Sequence, residues 1–108
     1  MNGKSLEKME SIASLMLDMR LADLERAARA RQESIDLLRG LEVPAADDID
    51  PLLAARLSLR YQIWADGRRA EINLALARQT ADWTMKRDTA QQAFARSEAL
   101  RLLKQKHA

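Results

Sequence analysis

Helix-breaking residues cluster in one place in this chain. Residues 40–51 gather Gly40, Pro44 and Pro51 with Asp47, Asp48 and Asp50, and the helix-compatible stretches on either side are unequal. Residues 5–39 can form one helix of roughly 52 Å and residues 51–106 one of roughly 84 Å, at a rise of 1.5 Å per residue. Asp50 before Pro51 is a favoured helix start: the carboxylate accepts a first-turn N–H, and proline at the first helical position gives up only an N–H that has no intrahelical acceptor. Gly40 stands where a left-handed C-terminal cap is expected, and Ser5 is read as the N-cap of the first helix with Glu7 in its first turn. The expectation is a single domain over residues 1–108: an all-α, antiparallel two-helix hairpin (coiled coil) with helices at 5–39 and 51–106 and a loop at 40–50. Leu41, Val43 and Ile49 are expected to fold over the hairpin end. Asp66-Gly67 keeps an alternative open, because Gly costs about 1 kcal/mol in a helix interior and Asp-Gly is a turn signal. A break there would give a three-helix bundle.

The apolar period sets the faces. Leu6, Met9, Ala13, Leu17, Leu21, Leu24, Ala28, Arg31, Ile35 and Leu38 recur every 3.6 residues, with Ile12 and Met16 widening the stripe. Lys8, Asp18, Glu25, Arg26, Arg29 and Glu33 fall on the other side. In the second helix a stripe runs through Leu52, Ala55, Leu59, Ile63, Gly67, Ala70, Leu74, Ala77, Ala81 and Met85, whose small central residues would admit a facing helix closely. A loop centred near residue 45 then sets Leu38 near Leu52, Ala28 near Ile63, Leu24 near Gly67, Leu17 near Leu74 and Leu6 near Met85. In that register about 20 residues at the C-terminus project beyond the first helix.

Composition narrows the functional classes. The chain is 47% hydrophobic but carries only four aromatics, Tyr61, Trp64, Trp83 and Phe94, so its apolar set packs helical seams and not a deep core. It contains no Cys, which removes disulfides and thiolate sites. Ile12 to Leu17 is interrupted by Ser14 and followed by Asp18, so neither a signal peptide nor a membrane helix is expected, and the reading is a soluble cytoplasmic protein. The single histidine, His107, is penultimate, and glycines at 3, 40 and 67 are too far apart for a phosphate loop. No catalytic, cofactor-binding or metal-binding residues are identified, and the chain is read as a non-enzyme.

The C-terminal segment carries the candidate site. Ala90, Ala93, Phe94, Ser97, Leu100 and Leu103 line one side of the helix beyond Met85, with Arg96 and Arg101 beside them. A helix of that length needs its stripe packed to be stable, so a protein partner or a second copy of the chain is expected there. A series of arginines at 26, 29, 31, 68, 69, 78, 87, 96 and 101 offers a nucleic-acid surface as a further alternative. Asp23, Glu25, Glu33, Asp66, Glu71, Asp82 and Asp88 lie within a turn or two of them and favour a salt-bridged helical surface instead. Trp64 and Trp83 lie off the proposed stripe and either widen the core or anchor an interface.

A two-helix coiled coil whose longer C-terminal helix ends in the pattern from Ala93 to Lys106 resembles the FliJ-type flagellar export proteins and their type III secretion stalk counterparts. Arg96, Ala99, Leu100 and Leu103 are the matching positions. The resemblance implies an antiparallel coiled coil like the central stalk of rotary ATPases, binding to the export ATPase ring and the export gate, and cycling of substrate chaperones. It also implies that residues 6–16 and 85–103 enter the ATPase ring. The homodimeric helical-bundle adaptor remains the alternative.

Overall fold

A computed structural model of the chain describes residues 2–42 and 48–107. Two helices account for nearly all of them: α1 spans Gly3–Arg39 and α2 spans Pro51–Lys106. The described residues contain no strand. Asn2, not Ser5, caps α1: its Oδ1 accepts the Ser5 N–H at 2.8 Å, which moves the helix start to Gly3 and places Ser5 inside the first turn. At the start of α2 the expected cap forms, with the Leu53 N–H donating to Asp50 Oδ2 at 3.2 Å. Gly40 does not take the expected left-handed conformation. The last turn of α1 tightens instead, with Leu41 N–H to Leu38 O and Glu42 N–H to Arg39 O, both at 3.2 Å.

α2 runs unbroken through Asp66 and Gly67, so the three-helix alternative is not adopted. Ion pairs bracket the glycine on the same helix, Arg69 with Asp66 at 2.7 Å and Arg68 with Glu71 at 3.2 Å. Pairs three residues apart return roughly 0.2–0.5 kcal/mol each, enough to offset much of the cost of Gly67.

The described residues fall into two units, each built from a stretch of both helices. The first holds residues 30–80. Its core is Leu41, Ala65 and Ile72, with Leu38 and Tyr61 packed against them. Ser34 Oγ donates to Gln79 Oε1 at 2.6 Å, Arg31 Nε to Thr80 Oγ1 at 3.1 Å, and Tyr61 Oη to the Leu41 carbonyl at 3.0 Å. These pairs run antiparallel in a register unlike the expected one. Ser34 meets Gln79 where the spacing had set it near Arg56, a displacement of roughly six turns. The expectation rested on a connection that reverses at once. Eleven residues can instead reach about 36 Å when extended, so the loop length leaves the register free. The first turns of α2 therefore extend past the end of α1, and Leu52, Leu53, Leu57 and Leu59 are exposed there. Of the three residues expected to cover this end, Leu41 is buried, Ile49 is exposed, and Val43 lies outside the described residues.

The second unit holds residues 1–29 and 81–108. Leu6, Ala27, Ala90 and Ala93 are its buried side chains, and Lys104 Nζ lies 3.2 Å from Glu10 Oε2. The end of α2 is thus paired with the start of α1 and does not project alone. Leu6, only 2% exposed, is not against Met85, which is 66% exposed.

The stripe expected to face α1 from α2 points outward. Leu52, Leu59, Ile63, Leu74 and Met85 are exposed, as are Ala55, Gly67, Ala70, Ala77 and Ala81 between them. The inward face in residues 51–80 is Ala54, Tyr61, Ala65, Ile72 and Gln79, roughly half a turn of the helix away. α2 therefore carries apolar side chains on two opposed faces, and α1 together with Leu41 beyond its end packs on one of them.

Candidate interaction surface

In the unit of residues 1–29 and 81–108, the facing walls of the two helices leave a groove of about 470 Å³. Met9, Ile12, Ala13 and Met16 form one wall with Arg20. Ala93, Arg96, Ala99 and Leu100 form the other with Thr89 and Gln92. No carboxylate lines it. Unbranched methionine side chains adapt to an irregular partner surface, so Met9 and Met16 suit a site that receives another side-chain set. Outside the groove the apolar surface continues on α1 through Leu15 and Met19, 64% and 62% exposed.

The residues expected to bind a partner separate onto two sides. Ala90 and Ala93 are buried within this unit, and Ser97 and Leu100 are half-buried. Phe94, Arg96, Arg101 and Leu103 are exposed. Ala93, Arg96 and Leu100 reach the groove, joined by Ala99 from the family resemblance. Periodicity alone places Ile12 and Met16 at the edge of the inward stripe; the family resemblance implies a partner contact for residues 6–16, and Met19 lies outside both readings. The spacing of Ile12, Leu15, Met16 and Met19 at i, i+3, i+4 and i+7 is itself a helical stripe, legible as a second face of α1.

In the unit of residues 30–80, Trp64 is 58% exposed, with its ring centroid 5.7 Å from that of Tyr61. It lines a shallow recess with Leu37, Gly40 and Arg68. Trp83 belongs to the other unit, is half-buried, and has the Arg87 guanidinium 5.4 Å from its ring centroid.

The charged residues mostly pair along their own helix. Arg29 binds Glu25 at 2.7 Å, Arg87 binds Asp88 at 3.3 Å, Arg26 pairs with Asp23, and Arg68 and Arg69 are engaged as described above. Arg101 grips Glu98 through both Nε and Nη2, and this hydrogen bonding holds the Glu98 carboxyl below its ordinary value. The expected salt-bridged surface is therefore present, and it neutralises most of the arginine series.

Among the described residues no group of three or more His, Cys, Asp or Glu side chains is placed to hold a metal ion. His107 is exposed, its backbone N–H bonded to the carbonyls of Leu103 and Lys104. Among the described residues, no helix is long and apolar enough to cross a membrane. No protein-family model, curated protein sequence or solved structure matches this chain.

Proposed function

We propose that this chain is a non-enzymatic interaction protein that works as a helical scaffold, its outward apolar faces covered by other polypeptide helices. One observation carries this reading: large apolar side chains stand exposed on several sides, from Ile12, Leu15 and Met19 on α1 to Leu59, Ile63, Leu74 and Phe94 on α2. Apolar surface of this extent that the fold itself leaves uncovered marks an interaction site, because each of these side chains, more than half exposed, forgoes a large part of the about 1.5–3 kcal/mol that full burial would contribute. In its specific form the proposal is a cytoplasmic coiled-coil component of flagellar or type III protein export that binds the export ATPase and gate. The resemblance in residues 93–106 supports it, and the surface it implicates, residues 6–16 with 85–103, includes most of the groove lining.

The outward stripe of α2 favours a second reading, a homodimeric bundle in which two copies bury Leu59, Ile63 and Leu74 against each other. Light scattering on the full chain, alone and with a purified export ATPase, separates them. A complex with the ATPase that Met16→Asp abolishes supports the export reading. A dimer without ATPase that Ile63→Asp dissolves supports the adaptor. A monomer that binds nothing overturns both.

A further inference from the structure

We infer that the groove between residues 9–20 of α1 and 89–100 of α2 takes an acidic amphipathic helix of a partner protein, seated with its apolar stripe on the methionine wall and a carboxylate toward each side. The inference rests on the interaction reading above and names the occupant's chemistry. Three features of the groove specify it.

The first is its floor. Met9, Ile12 and Met16 face Ala93 and Leu100, an apolar trough spanning seven residues on each wall, about 10 Å or two turns of helix. The second is its charge. Each wall supplies one arginine, Arg20 from α1 and Arg96 from α2, and no acidic side chain lines the space between. The third is how poorly those arginines are neutralised. Arg96 closes no ion pair with the described residues. Arg20 reaches Asp23 only at 3.5 Å, and that same carboxylate is already paired with Arg26. An apolar trough with a cation on each wall is complementary to a helix whose apolar stripe is bordered by Glu or Asp. The planar guanidinium also favours bidentate binding of a carboxylate over a simple point-charge contact. A helix bordered by lysines would place like charges together at both walls.

Fluorescence anisotropy on the full chain tests this with a labelled 18-residue helical peptide, leucines at i, i+3, i+4 and i+7 and glutamates on both flanks. Two controls replace the glutamates by lysine or the leucines by serine. The glutamate peptide is expected to bind at least tenfold more tightly than either control. Arg96→Glu should weaken it at least tenfold and favour the lysine peptide, and Met16→Asp should remove binding of both. Circular dichroism should find the helix content of both variants unchanged. Equal binding of the glutamate and lysine peptides, or a preference that survives Arg96→Glu, would overturn the inference. So would a dimer of the full chain that Met16→Asp dissolves, since the occupant would then be a second copy. If the peptides fail while the chain still assembles with a protein partner, the occupant's chemistry is wrong and the interaction reading stands.

Discussion

Ser34 of α1, 5% exposed, donates a 2.6 Å hydrogen bond from its hydroxyl to the side-chain oxygen of Gln79 on α2. A buried hydroxyl is costly to leave unpaired, so this bond penalises other registers more than it adds to the observed one. Gln79→Ala should destabilise the chain by about 1–3 kcal/mol and Ser34→Ala by about 0.5–1.5 kcal/mol, whereas Ser34→Ala with Gln79→Leu together should come closer to neutral. Thermal melts followed by circular dichroism measure all three. A Gln79→Ala variant with unchanged Tm would remove this bond from the account.

The absence of cysteine makes the register open to cross-linking, because any introduced pair supplies the only thiols. Glu10→Cys with Lys104→Cys should link within one chain through a short bifunctional maleimide, following the 3.2 Å ion pair of the native side chains. Leu6→Cys with Met85→Cys should not. Efficient linkage of the second pair and none of the first would restore the overhanging tail.

Gly67 has negative φ in the middle of α2, and a Cβ built there meets nothing within 4 Å. Gly67→Ala should therefore stabilise the isolated chain by roughly 0.5–1 kcal/mol through helix propensity alone. A fall in Tm would mean that the outward stripe of α2 is closely packed against something even in the isolated chain.

Much of this fold was legible locally and little of it at long range. The Asp50-Pro51 start, the end of α1 at Arg39 and most of the inward face of α1, including Arg31, follow from spacing and capping chemistry. The pairing face of α2 does not, because Leu52, Leu59, Ile63 and Leu74 recur with the same period as Ala54, Tyr61, Ala65 and Ile72. Periodicity cannot choose between two stripes, and hydropathy prefers the leucines. The inner face is selected by fit: alanines for close approach, Tyr61 capping the Leu41 carbonyl, and Gln79 satisfying Ser34. Of the candidate site, residues 93–100 follow from the apolar side of the C-terminal segment, while spacing alone places the opposing α1 wall in the core, with Met9 in the inward stripe and Ile12 and Met16 widening it, and only the family resemblance implies a contact over residues 6–16.

Arg101 lowers the Glu98 carboxyl through direct hydrogen bonds. Because the folded value is depressed, the pair's stabilisation is present above the ordinary carboxylate range and is lost as pH falls through the lowered pKa of Glu98. Both groups are exposed, so the effect on Tm is small, and it is best read from the Glu98 side chain by NMR titration. Arg101→Ala should return its midpoint upward to the ordinary glutamate range; an unmoved midpoint would show that Arg101 is not the cause.

The central claim is that the outward apolar surface is covered by another polypeptide when the protein is at work. Methionine oxidation reads this directly, since Met9, Met16, Met19 and Met85 are all exposed in the isolated chain. Brief peroxide treatment of the dilute purified chain and of intact cells producing it, followed by mass spectrometry, gives the oxidation rate at each position. Slower oxidation of Met9, Met16 and Met19 in the cell, measured relative to a fully exposed reference methionine, is the predicted result. Equal rates in both settings would contradict the account, because those side chains would then face water in the working protein.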